Sequence, residues 1–100
     1  MASVKVTFNV KANAKTLYLV GSTKNLGEWD PKNAIKLEKN GDVFQTSKLF
    51  ENLETVEFKF LKKKDYEYVE KGEWGEEIQN HSFVAVKGLV VDLTVNNFNK

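Results

Sequence analysis

Apolar and polar residues alternate along most of this chain, in short runs separated by turn residues. Val4, Val6, Phe8 and Val10 alternate with Lys5, Thr7 and Asn9. A period of two predicts a strand with one face buried. Leu17, Tyr18, Leu19 and Val20 are apolar on both faces, as a central strand would be. Ile35–Leu37 and Val43–Leu49 are predicted to form a hairpin through Glu38–Asp42, whose Asn40-Gly41 readily supplies positive φ. Val56, Phe58 and Phe60 alternate with Glu57, Lys59 and Leu61. Lys62–Asp65 is expected at the tip of a second hairpin, returning through Tyr66–Val69. Ile78–Val86 and Leu89–Phe98 complete the strands, with Lys87-Gly88 as their turn. No window has a convincing helical period, although a short helical turn is expected at Pro31–Asn33. About seven or eight regularly spaced strands predict an all-β fold, an immunoglobulin-like antiparallel sandwich with Greek-key connections.

Composition narrows the function classes. At 100 residues the chain is expected to be one domain, residues 1–100, with one modest core. Fifteen basic residues against 14 acidic ones leave a formal net charge of +1, which argues against an electrostatic nucleic-acid binder. The absence of cysteine excludes disulfides and thiolate metal sites. No apolar run approaches the ~20 residues of a membrane span. Met-Ala-Ser at the start lacks the apolar segment of a signal peptide. A cytosolic protein and a module cut from a longer secreted chain both fit, so the compartment stays open. No cofactor, metal or membrane partner is expected.

The most informative stretch is Thr16–Pro31. An apolar strand ends at Gly21, a polar loop follows, and Trp29 stands between Glu28 and Asp30. An indole amid charges is suited to display. An aromatic face on a β-scaffold is one way to hold sugars, whose C–H faces stack on rings while side chains bond the hydroxyls. Trp29 can equally cap the end of the core. Lys59, opposite Phe58 and Phe60 in the alternation, faces solvent, either as a sugar ligand or as a plain surface lysine. Asn80 offers an amide donor and acceptor, and turn chemistry is its other reading. His81 is the only histidine, which rules out a histidine-based metal cluster. Glu67, Glu70, Glu73, Glu76 and Glu77 are expected to form a solvated acidic rim rather than a glycosidase pair. Lys62–Lys64 is a short charge run at a turn.

Leu17-Tyr-Leu-Val-Gly-Ser22 followed by Leu26-Gly-Glu-Trp-Asp-Pro31 resembles the starch-binding domains of carbohydrate-binding module family 20. The likeness extends to Val4–Val10, Ala34–Leu37, Val56–Phe60, Asn80–Phe83 and Val90–Val95, nearly the whole chain. The stretch Tyr66–Asn80 is also similar to related modules of starch-active enzymes. The resemblance implies noncatalytic binding of α-1,4-glucans: starch, glycogen, maltooligosaccharides or cyclodextrins. It implies a monomeric module, of a kind that can be tethered to a catalytic domain, with Trp29, Lys59 and Asn80 at the first sugar site.

The second ring of that site departs from the family, which has a Trp followed by Glu on the strand after the lysine-bearing hairpin. Counting back from Asn80 favours Tyr66, whereas matching the hairpin favours Tyr68. On one strand the two would share a face. Trp74, in the loop between Gly72 and Gly75, is a third candidate. Tyr18 matches a tyrosine of the family's second sugar site, but the loop expected to bring its partner ring is only Lys39–Asp42. The runner-up function is an adhesion-type or protein-interaction sandwich whose exposed rings contact a partner protein.

Overall fold

The computed structural model describes residues 2–100 and contains eight strands in two stacked sheets. The strands are β1 (Ser3–Ala12), β2 (Tyr18–Gly21), β3 (Ile35–Lys36), β4 (Glu38–Asn40), β5 (Val43–Glu51), β6 (Thr55–Leu61), β7 (His81–Val84) and β8 (Val90–Val95). The first sheet has the order β4-β5-β1-β8 and the second β3-β2-β6-β7. Every pairing is antiparallel except β1 with β8, which run parallel. The all-β sandwich expected from the alternation is what forms.

The core lies where the alternation puts it. Val4, Val6, Phe8 and Val10 of β1 face Val56, Phe58 and Phe60 of β6 across the sandwich, all buried. Phe58 packs edge-on to Phe8 at 5.5 Å and to Phe60 at 5.6 Å between ring centroids. Such aromatic edges add to the apolar burial that drives the two sheets together.

Four expected elements differ from the structure. Ile35–Leu37 does not form a hairpin with Val43–Leu49. β3 pairs with β2 in the second sheet, and the chain then changes sheets so that β4 pairs with β5. Leu37 sits at the crossing, buried, with its N–H donated to the Leu17 carbonyl at 2.9 Å. Burying Leu37 between the sheets is worth more than two further rungs of an exposed hairpin. Tyr66–Val69 is not a return strand either. Tyr66–Tyr68 is a 3-10 turn, because the Asp65 carboxylate accepts from the Glu67 N–H at 2.8 Å and holds the backbone in a tight bend. Ile78–Val86 and Leu89–Phe98 shorten to β7 and β8, while Phe98 makes an isolated bridge to Glu70.

The edge of β6 explains the buried glutamate that sequence reasoning assigned to a solvated rim. β7 pairs β6 only as far as His81 opposite Phe58. Beyond that point residues 68–70 take over: Lys62 N–H reaches the Tyr68 carbonyl at 3.1 Å, and Glu70 N–H reaches the Phe60 carbonyl at 3.0 Å. Between the two partners the Phe60 N–H would be orphaned. The Glu70 carboxylate accepts it at 3.0 Å and also meets His81 Nε2 at 2.8 Å. Glu70 is 2% exposed, so this carboxylate is a structural repair of a sheet edge. It closes the neck of the excursion formed by residues 71–80.

Replacing Glu70 with leucine leaves the Phe60 N–H and the His81 ring without their acceptor. Urea denaturation is expected to show a loss of about 1–3 kcal/mol, the cost of an unsatisfied buried donor. A midpoint equal to that of the unmodified chain would mean that the carboxylate does not hold this edge.

Candidate functional site

The outer face of the second sheet is unusual for a solvent-facing surface, because β2 and β6 place apolar residues on it. Val20 and Leu61 point away from the main core, yet both are fully buried. They form a second small cluster with Ala34, and Tyr18, Trp29 and Val69 pack against it. Trp29 is therefore half-buried, a lid over Val20 and Leu61, and not the wholly displayed ring expected from its charged neighbours.

The backbone that delivers this ring is strained. Gly27, Glu28 and Trp29 have φ values of 83°, 49° and 65° in succession. Positive φ is uncommon for non-glycine residues and costs of order 1–3 kcal/mol where it persists. The surroundings compensate. Leu26 and Glu28 N–H groups both reach the Thr23 carbonyl at 3.0 Å, and Asp30 N–H reaches the Gly27 carbonyl at 2.9 Å. Leu26 is fully buried beneath the loop. Gly27 is required by space as well as by φ, since a Cβ there would lie 2.7 Å from the Asn33 carbonyl oxygen. Asp30 then caps the expected turn at Pro31–Asn33 by accepting from the Lys32 N–H at 3.0 Å.

Tyr66 is tied to this loop. Its hydroxyl donates a hydrogen bond to the Trp29 backbone carbonyl, which ties the Tyr66 side chain to the loop that carries Trp29. Tyr66 keeps 39% of its surface exposed. Burial of the hydroxyl, followed by the negative charge of Asp30, raises its pKa above the usual 10.0. Lys59 lies on the same face, in register with Val20, and sits half-buried between Glu57 and Leu61 along β6. Asn80 is exposed, just ahead of β7, and donates to Glu57 Oε1 at 3.1 Å. The outer face of β6 therefore presents Leu61 under the Trp29 cluster, then Lys59, then Glu57 holding Asn80.

Tyr68 does not share a face with Tyr66. Successive residues of a 3-10 turn diverge by about 120°, so positions i and i+2 point apart. Tyr68 turns toward a groove lined by Thr16, Lys62 and Lys63, with the Lys63 ammonium 4.9 Å from its ring centroid. Trp74 is 85% exposed, the most open of the large apolar residues. Its N–H is held by Glu76 Oε1 at 2.9 Å. Tyr18 sits on the outer face against the Val20–Leu61 cluster, with Lys64 Nζ 5.9 Å from its ring centroid. His81, expected at the surface, is half-buried against Phe58 and paired with Glu70. Sequence reasoning missed Glu70 as a residue that holds the site, and nothing local distinguishes it from the four other acids around it.

A two-sheet sandwich with aromatic rings beside amide and ammonium groups on one open outer face has the layout of a noncatalytic carbohydrate-binding module. The family profile described as starch binding domain matches residues 3–94. The chain is 33% identical over 101 aligned residues to a cyclomaltodextrin glucanotransferase of Niallia circulans, covering 94% of this chain and 14% of that enzyme. The family 20 carbohydrate-binding module of a maltotetraose-forming amylase from Pseudomonas saccharophila superposes with a TM-score of 0.65 and 21% identity, covering 91% of this chain and 99% of that one. A glucoamylase from Hypocrea jecorina matches with a TM-score of 0.73 and 20% identity, covering 97% of this chain and 18% of the enzyme. The chain thus spans about 8–14% of the length of the curated relatives it matches. It belongs to the starch-binding domain family. Family membership favours carbohydrate binding over the adhesion-type reading.

The raised Tyr66 pKa has a consequence for alkaline stability. Its protonated form is favoured in the folded state, so the stability it supplies is complete below pH ~10 and is lost as pH rises through the folded value. Thermal melts of the unmodified chain and of Tyr66→Phe, compared from about pH 9 to 11.5, should show the unmodified chain declining more steeply. Parallel decline of the two would show that the hydroxyl environment contributes nothing.

Proposed function

We propose that the outer face of the second sheet binds α-1,4-glucan, with Trp29 and Tyr66 as the sugar-facing rings. The single observation supporting this most strongly is the hydrogen bond from Tyr66 to the Trp29 carbonyl. It ties the Tyr66 side chain to the backbone that carries Trp29, on the face where β6 presents Lys59. A pair of rings fits the curved face of a helical glucan better than one flat ring does. Each stacked ring contributes about 1–2 kcal/mol, by analogy with other aromatic platforms. Lys59 donates to sugar hydroxyls from β6. Asn80, oriented by Glu57, offers its amide to the next sugar and fixes register.

The strain at Gly27–Trp29 supports the same reading. A loop that only covered Val20 and Leu61 would not need three left-handed residues in a row. Holding the ring before ligand arrives reduces the ordering cost of binding. Trp74 is a secondary contact. Its loop must settle against the ligand, which costs conformational entropy. Tyr68 faces a different groove and is not assigned to this ring pair.

The module acts as a monomer and is tethered to a catalytic domain that acts on α-glucan. The length of the related transferases and the glucoamylase supports this arrangement, since each matches only over a small part of its chain.

Titration calorimetry with β-cyclodextrin, together with electrophoresis through amylopectin or cellulose-derivative gels, tests the proposal. Binding to the α-linked ligands and no retardation by the β-glucan are expected. Trp29→Ala is expected to weaken binding at least about tenfold, equal to roughly 1.4 kcal/mol. Tyr66→Ala should cost more than Trp74→Ala. Because the Trp29 ring also covers Val20 and Leu61, its removal should lower the thermal midpoint while circular dichroism stays β-rich. No heat from the unmodified chain at millimolar β-cyclodextrin would end this reading.

A further inference from the structure

The three lysines at the tip after β6 are not absorbed by the glucan site, and the fold gives them company. β1 ends, β2 begins and β6 ends at the same corner of the sandwich. Together they form a groove lined by Lys15, Thr16, Lys39, Lys62, Lys63 and Tyr68. Four lysines thus line one depression in a chain whose net charge is only +1.

None of the four is neutralised. The ion pairs among the described residues are Lys71 with Glu77, His81 with Glu70 and Lys100 with Glu67. Asp65, two residues after Lys63, spends a carboxylate oxygen on the Glu67 N–H at 2.8 Å. Three of the lysines are instead held over rings: Lys39 on Phe44 at 5.6 Å, Lys62 on Phe98 at 5.2 Å and Lys63 on Tyr68 at 4.9 Å. Of these rings only Tyr68 lines the groove, and there it steers the Lys63 stem and lowers the rotamer freedom that an anion would otherwise have to remove. Thr16 Oγ1 donates to the Lys62 carbonyl at 2.7 Å, which ties the groove floor together.

We infer that this groove binds a phosphate monoester carried on the glucan itself, as an extension of the α-glucan site proposed above, on which it rests. A monoester carries about −1.5 to −2 charges and three acceptor oxygens, and it suits several ammonium groups at once. The position favours a phosphorylated glucan over a nucleic acid. Tyr68 lines the groove and Tyr66 lies beside Trp29, and both belong to one 3-10 turn. Lys64 continues the basic run onto Tyr18, on the glucan-binding face. The groove therefore opens next to the sugar-facing rings. It has a single aromatic ring, too few for a run of stacked bases.

The experiment compares retention of the whole chain in gels of phosphate-bearing amylopectin and of the same polymer after phosphatase treatment, with inorganic phosphate as a separate competitor. At low salt the phosphorylated polymer is expected to bind about three- to tenfold more tightly, with the difference closing as salt screens the charges. Lys15→Gln combined with Lys63→Gln should abolish that preference and leave binding of the dephosphorylated polymer unchanged. Lys5→Gln combined with Lys87→Gln removes the same charge elsewhere and should leave the preference intact. Equal retention of the two polymers, or equal loss with either lysine pair, overturns the groove assignment and leaves the glucan site standing. Complete competition by low-millimolar inorganic phosphate would show an ion site without a glucan ester, which also overturns it. No retention of either polymer removes the glucan reading and this inference with it.

Discussion

Val20 and Leu61 impose the constraint on which the functional face depends. Both lie on the outer side of the second sheet, where a sandwich normally shows polar residues to water. Their side chains are fully buried, so something must cover them. The cover is Trp29, with Ala34 and Val69 beside it. Apolar burial of this kind repays backbone strain: covering a few aliphatic side chains gives several kcal/mol, which offsets three consecutive positive-φ residues. The loop is therefore stabilised by the same ring that the proposed site uses, so under that proposal stability and recognition are coupled at one residue. This coupling also explains why the ring can be held before ligand arrives. The loop does not need the sugar to order it.

The second constraint is the unfinished edge of β6. β7 leaves the ladder at Phe58, and residues 68–70 rejoin it one rung later. A carboxylate and an imidazole fill the gap. Through that pair, the excursion carrying Trp74 and Asn80 is fastened at both of its ends, at Glu70 and at His81. Asn80 is further aligned by Glu57 on the sheet. The polar half of the proposed glucan site thus rests on a buried hydrogen-bonded pair, and its aromatic half rests on an apolar one. Truncating either support should move ligand contacts without touching them.

Much of the fold was legible because period-two alternation has one physical cause, a face in the core and a face in water. β1 and β6 follow it closely, and the Pro31–Asn33 turn was marked by its proline and by the Asp30 cap. The starch-binding family was legible in Leu26–Pro31 and the strand before it. What stayed hidden has physical reasons too. The sheet change at Leu37 depends on where a single leucine finds the core, which no local pattern specifies. Tyr66–Tyr68 alternates like a strand, yet an Asp65 side-chain bond bends it, and the supposed shared face of Tyr66 and Tyr68 is lost. Glu70 resembles its acidic neighbours in sequence, and its burial follows from a missing rung that only the assembled sheet reveals. Trp29 stands out in the sequence as a ring among charges, and those charged neighbours hid the apolar cluster beneath it.

The outer face built on Val20, Leu61 and Trp29 is the proposed seat of α-glucan. Amide and indole chemical shifts followed by heteronuclear correlation spectra during titration with β-cyclodextrin test it most directly. The account predicts that the Trp29 indole N–H and the backbone amides of Lys59, Tyr66 and Asn80 shift together along one saturating curve, while the amides of β1 and β5 stay fixed. Saturating shifts confined to the first sheet, or to the Trp74 loop with Trp29 unmoved, would contradict it.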